Sequence, residues 1–159
     1  MAESRQEFPI EQRLRKDIQD AQRARDQVKL DTLRMALGAI HNLEVARTDR
    51  KHPEHGQALT EGDTLRVLEQ EAKKRSQAIP LYKQGGRNDL AEKEQRELDI
   101  LQTYLQASQL SDDDIRAIVT HLIGQHGNEF RRIMPLTVKE TKGRAEGARV
   151  QRIVREMIQ

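Results

Sequence analysis

Apolar residues along this chain recur at spacings of three and four. Leu30, Leu33, Leu37 and Ile40 form one such series. Ile115, Ile118, Val119, Leu122 and Ile123 form another, and Val150, Ile153, Val154, Met157 and Ile158 a third. This period puts one or two apolar side chains per turn on a single face of an α-helix. No long Val/Ile/Thr alternation points to a strand. Only 35% of the residues are hydrophobic, so the buried faces must be narrow stripes rather than whole helices. Ala, Leu, Glu, Gln, Lys and Arg fill the remaining positions, and all favour helix. The expected fold class is therefore all-α.

The punctuation between the stripes sets the organisation. Ile10, Leu14, Ile18 and Ala21 mark a first helix, and Asp26 begins a second close behind it, as in a helical hairpin. Thr48 to Leu59 contains Pro53 and Gly56 and is expected to be a loop. Thr60 and Asp63 have the spacing of a capping box, ahead of a third helix with Leu65, Leu68, Ala72 and Ile79 inward. Pro80 should kink or stop that helix. Gly85 and Gly86 end it, and Asn88 or Asp89 is placed to cap the fourth, whose inner face carries Leu90, Glu94, Leu98, Leu101 and Leu105. Gln106 to Leu110 is the candidate boundary, which divides the chain into domains 1–106 and 107–159. Ser111 and Asp114 form a second capping box, and Gly127 stops the fifth helix. Asn128 is placed to cap the sixth, with Phe130, Ile133, Met134 and Val138 as its apolar contacts and Pro135 as a bend or break. The expectation is an N-terminal four-helix unit followed by a C-terminal three-helix unit.

Composition excludes several functions. The chain has no cysteine, which removes disulfides, thiolate metal sites and thiol nucleophiles together. No apolar run is long enough to cross a membrane, and the opening MAESRQEFPI lacks the core of a signal peptide. A cytoplasmic location is the expectation. The net charge of +2 is too small to argue for any partner, but its distribution is uneven. Residues 129–159 carry eight Lys/Arg against four Asp/Glu, so the basic excess sits in the last fifth of the chain.

That region contains the turn Lys142-Gly143-Arg144-Ala145-Glu146-Gly147. Gly143 is suited to end a helix in the left-handed conformation, and Gly147 to precede a closely packed helix. The following helix places Arg149, Arg152 and Arg155 opposite its apolar stripe. Lys142 and Arg144, read as lying at the N-terminus of that helix, together with Arg149 and Arg152, are candidate phosphate-binding residues. With only Phe8, Phe130, Tyr82 and Tyr104 available for stacking, contact should be to the shape and phosphates of a folded RNA. The alternative for these charges is an ordinary solvated helix face.

Groups suited to catalysis are sparse. Ser4, Ser76, Ser108 and Ser111 lack a nucleophile-elbow setting, and Ser111 is accounted for as a cap. Glu94 and Glu97 have the types of an acid–base or metal-binding pair. Buried ion pairs with Arg34, Lys73 or Arg87 explain them better, because the Glu-x-x-His motif of a bundle metal site is absent. His52 and His55 lie in a loop without a third ligand, and His121 and His126 are spaced poorly for one helix face. No catalytic residue, metal, cofactor or small-molecule substrate is assigned.

Three segments carry a resemblance. They are GGRNDL at 85–90, EQRELDILQTYL at 94–105 and KGRAEG at 142–147. In this order the chain resembles the GatB/YqeY family, with Gln106 where many relatives have proline. Its members include small free-standing proteins and the C-terminal tail of the GatB subunit of the tRNA-dependent amidotransferase. The resemblance implies a four-helix unit plus a tail-like three-helix unit, with Gly85, Gly86, Arg87, Gly143 and Gly147 as structural motif residues. It implies tRNA as a partner, with Lys142, Gly143, Arg144 and Gly147 matching the signature of the tail that contacts tRNA, and a protein partner such as the amidotransferase or an aminoacyl-tRNA synthetase. The expected function is a non-catalytic tRNA-interacting accessory protein. The alternatives are a component of a carbon–nitrogen ligase with glutamine as amido-N-donor, needing another subunit for its chemistry, and a helical protein-interaction module.

Overall fold

A computed structural model describes residues 9–158. Residues 1–8 of the segment read for a signal peptide, Ser4 and Phe8 among them, lie outside the described residues. The described residues form seven helices and no strand. These are α1 (Pro9–Arg23), α2 (Gln27–Ala46), α3 (Glu61–Gln84), α4 (Asn88–Ala107), α5 (Asp112–His126), α6 (Phe130–Thr141) and α7 (Gly147–Met157). They gather into two compact units that divide between Ala107 and Ser108.

In the first unit α3 and α4 pack along each other, and α1 and α2 close the bundle. Leu14, Leu33, Leu65, Leu68 and Leu101 are fully buried in one core, each contributing about 2 kcal/mol over an exposed position. The helical period accounts for most of this core but not for its detail. In α2 the seam runs through Leu30, Leu33, Ala36 and Ile40, and Leu37 is only half-buried. In α4 the inner positions are Ala91, Glu97, Leu98, Leu101 and Tyr104, whereas Leu90, Glu94 and Leu105 are half-buried.

Caps fix several ends. Asp26 accepts a hydrogen bond from the Lys29 N–H, and Thr60 and Asp63 exchange the two bonds of a capping box. The α3 terminus is closed by Gly86 N–H to Lys83 carbonyl and Arg87 N–H to Tyr82 carbonyl bonds, with Gly86 at φ +71. Glycine adopts that conformation without the clash of a side chain. A stop at Pro80 and a cap from Asn88 or Asp89 are not found here. Pro80 does not stop α3, which continues to Gln84. Its fixed φ fits a helix, and buried Ile79 and half-buried Tyr82 hold the turns on either side against the core. Neither Asn88 nor Asp89 caps α4; both lie inside it, and the Arg87 carbonyl accepts from the Leu90 and Ala91 N–H groups.

The second unit has its own core of Ile115, Val119, Leu122, Ile133, Val150, Ile153 and Val154. Ser111 and Asp114 form the α5 capping box, and Gly127 closes that helix at φ +84. Asn128 does not cap α6; Glu129 occupies the cap position without a side-chain bond. Pro135 neither splits nor ends α6, since Ile133 and Thr137 are buried on either side of it. Val138, expected inside, is exposed. The inner positions belong instead to Thr137 and Thr141, whose hydroxyls donate to the Ile133 and Thr137 carbonyls at 2.9 and 2.8 Å. A threonine satisfied one turn back by its own helix can be buried at little cost.

Candidate nucleic-acid interface

The turn between α6 and α7 is built from the end of α6. Lys142 is the C-cap of α6 and Gly143 takes φ +77. The Arg144 N–H donates to the Thr141 carbonyl at 2.9 Å, and its guanidinium donates to the Glu140 carbonyl at 3.0 Å. Lys142 and Arg144 therefore stand at the negative end of α6 rather than at the positive end of α7, where favourable interactions with the helix dipole differ in sign. The N-cap of α7 is Glu146, without a side-chain bond. This corrects the placement behind the anion-site expectation. Gly147 opens α7 without a positive φ, and a Cβ there would meet no atom within 4 Å. The conformational need expected of both glycines belongs to Gly143 alone.

The arginines of α7 do different work. Arg149 Nε donates to Asp112 Oδ1 at 2.5 Å, and its Nη2 donates to the Leu110 carbonyl. Arg152 Nη2 reaches Asp112 Oδ2 at 3.3 Å, and its Nη1 lies 3.7 Å from Glu156. The hydrogen bond from Arg149, followed by the charges of Arg149 and Arg152, holds the Asp112 carboxyl below the ordinary carboxylate value. The Leu110 N–H in turn donates to the Arg144 carbonyl at 2.8 Å. Bonds from Ser111, with the Arg144 charge as a smaller cause, hold Asp114 low as well. Arg149 is thus a clamp that ties α7 to the segment entering α5. Of the four residues expected to meet phosphate, Lys142 is exposed, Arg144 and Arg149 are half-buried and hydrogen-bonded within the protein, and Arg152 shares two carboxylates.

Sequence reasoning missed other cations. Arg131, Arg132 and Lys139 are exposed on α6, on the same outward arc as Lys142. The signal was present as their spacing opposite Ile133, Thr137 and Thr141. It was hidden by assigning Val138 to the inner face. Phe130 is half-buried, with the Arg155 guanidinium 5.7 Å from its ring centroid.

The first unit concentrates its charge in buried pairs. Arg75 and Glu97 are almost wholly enclosed, with Nε to Oε2 at 2.9 Å. Arg75 Nη1 also donates to the Glu71 carbonyl and carboxylate, each at 3.0 Å. Glu97 is thus in a buried ion pair, and its partner is Arg75 rather than Arg34, Lys73 or Arg87; Arg87 instead pairs with Asp89 on the surface. Burial pushes the Glu71 carboxyl up, but bonds from Lys74 and Arg75 and their charges bring it below its ordinary value.

Arg47, 5% exposed, reaches Glu54 at 2.5 Å, Asp63 at 3.1 Å and the Ala58 carbonyl at 3.0 Å. It draws the loop after α2 onto the start of α3. Burial raises the Asp63 carboxyl, and the Thr60 bonds with Arg47 outweigh it, so the net shift is downward. His52 accepts the Glu54 N–H at 3.0 Å and a His55 ring nitrogen lies 3.1 Å from the Arg47 carbonyl, so this pair organises the loop. A cleft of about 330 Å³ lies beside the loop, lined by Asn42, Arg47, His52, Arg66, Gln70 and Lys74 among others. Among the described residues no three His, Asp or Glu side chains converge as a metal site requires. Tyr104 is buried, its hydroxyl donates to Asp17, and burial followed by that bond raises its pKa. It is not available for base stacking.

The chain is similar to proteins called "altered inheritance of mitochondria protein 41, mitochondrial". The one from Vanderwaltozyma polyspora is 34% identical over 92 residues, 58% of this chain and 46% of that protein. The one from Clavispora lusitaniae is 29% identical over 113 residues, 70% of this chain and 61% of that protein. An uncharacterized protein of Schizosaccharomyces pombe is 35% identical over 92 residues, 58% of this chain and 68% of its own length. The chain thus spans about half to three-fifths of the first two relatives. No described helix is long and apolar enough to cross a membrane. The family model described as Yqey-like protein matches residues 11–158, and the chain belongs to that family.

Proposed function

We propose that this chain is a non-catalytic accessory protein that binds tRNA through its C-terminal unit, with the N-terminal bundle as a rigid scaffold or docking surface for a protein partner. The observation that carries this reading is the basic excess of residues 129–159, on a unit where Lys142 and neighbouring cations face solvent. The titratable groups that the fold brings together support binding over chemistry. Arg75 is held in ion pairs with Glu97 and Glu71, and Arg47 with Glu54 and Asp63, and no activated nucleophile stands among them. We place this role in the cytoplasm; the word "mitochondrial" belongs to the names of the relatives.

The test is a gel-shift titration of the full chain against unmodified tRNA at low salt. Binding that weakens steeply with added salt supports the reading, because phosphate contacts release counterions. No shift at low salt refutes it. Release of ammonia from glutamine by the chain alone would refute its non-catalytic part.

A further inference from the structure

We infer that the phosphate-contacting surface is the outward face of α6, and that its occupant is the paired backbone of a tRNA stem. This inference rests on the tRNA-binding reading above and relocates its contacts. Successive helical residues are about 100° apart. With Ile133, Thr137 and Thr141 buried on one side, the opposite arc carries Arg131, Arg132, Lys139 and Lys142. Pro135 and Val138 lie between them, and all six are exposed. Glu140, the one acidic residue of α6, falls outside this arc.

The electrostatics separate this face from two of the three arginines of α7. The α7 cations Arg149 and Arg152 are neutralised by Asp112 and Glu156. Among the described residues none of the three α6 cations, nor the C-cap Lys142, is ion-paired. Arg132 donates only to the His126 carbonyl, at 3.2 Å, which leaves its charge uncompensated. Arg131 and Lys142 are eleven residues apart, a rise of about 16 Å along the helix. Four cations without a carboxylate partner over that length complement a polyanion.

The choice of paired RNA follows from what the face lacks. It carries no aromatic side chain on which an unpaired base could stack. Phe130 lies half-buried under Arg155, and Tyr104 is enclosed in the other unit. Contact of this kind positions a backbone and does not read bases.

The experiment compares the full chain with the variant R131Q/R132Q/K139Q/K142Q, measuring affinity for tRNA as a function of salt. Four lost phosphate contacts should remove about 3–4 from the slope of log K against log salt. On that scale the four contacts account for a fall of about 150-fold between 50 and 200 mM salt, which the variant should lack. The charge-preserving R131K/R132K/K139R/K142R should bind nearly as wild type, which separates lost charge from lost folding. R152Q, which changes an α7 cation already paired with Asp112 and Glu156, should keep the wild-type slope.

If wild type binds and the glutamine variant binds with an unchanged slope, the face is wrong while the tRNA reading stands. If wild type does not bind tRNA, the tRNA reading itself has failed. If polyglutamate displaces tRNA at equal charge concentration, the surface fits an acidic protein and the assignment to RNA is overturned.

Discussion

Replacing Arg75 by methionine tests the buried charge cluster of the first unit. The change removes the guanidinium that meets Glu97 at 2.9 Å and Glu71 at 3.0 Å. Glu97, 6% exposed, would keep only Lys93, whose ammonium lies 4.0 Å away. Breaking one side of a buried pair leaves an uncompensated charge and costs about 3–5 kcal/mol. Glu71 keeps Lys74 at 2.7 Å, so the loss centres on Glu97. The double variant R75M/E97M removes both charges and replaces them with flexible apolar side chains. It should recover to within about 1 kcal/mol of wild type, or exceed it, because the desolvation cost of two ions disappears. The assay follows from composition. There is no tryptophan, and both tyrosines, Tyr82 and Tyr104, belong to the first unit. Tyrosine fluorescence in a urea titration therefore reports that unit alone. For a domain of this size the single change should lower its melting temperature by at least about 12 °C. A single-variant cost below about 1 kcal/mol, or a double variant no more stable than the single, would refute the reasoning.

Three further outcomes can be checked. Gly143→Ala should destabilise the second unit by about 1 kcal/mol or more because φ is +77 there, whereas Gly147→Ala should be neutral or stabilising by up to about 1 kcal/mol; thermal melts of the two variants decide it. Arg149→Ala should cost about 1–3 kcal/mol, since it releases the Asp112 carboxylate and the Leu110 carbonyl together, and Arg152→Ala should cost less, read by chemical denaturation. Asp63 and Glu71 titrate below their ordinary values of 3.8 and 4.5 in the folded chain. A lowered carboxyl stabilises the fold above its unfolded value and loses that contribution as pH falls through the folded one. Denaturant midpoints should therefore change little above about pH 6 and decline below about pH 4.5, with a weaker decline in Asp63→Asn.

The sequence determined the helices and most of their ends. Apolar period and capping chemistry act within four residues of chain, so Thr60 with Asp63, Ser111 with Asp114, and Gly127 all function as their spacing implies. The KGRAEG turn was legible as a helix end for the same reason, and so was family membership. Which charges are spent and which are free was decided only by tertiary packing. Arg75 and Glu97 are 22 residues apart and Arg149 and Asp112 are 37 apart, and no local rule links either pair. The rotation of α6 was likewise settled by its neighbours. Threonine can be buried when its hydroxyl bonds back to its own helix, so Thr137 turned inward, Val138 turned out, and a row of cations came to face solvent. The chain carries its basic excess in its sequence, but a charge is available to a partner only if the fold leaves it unpaired, and that is a property of contacts distant in sequence.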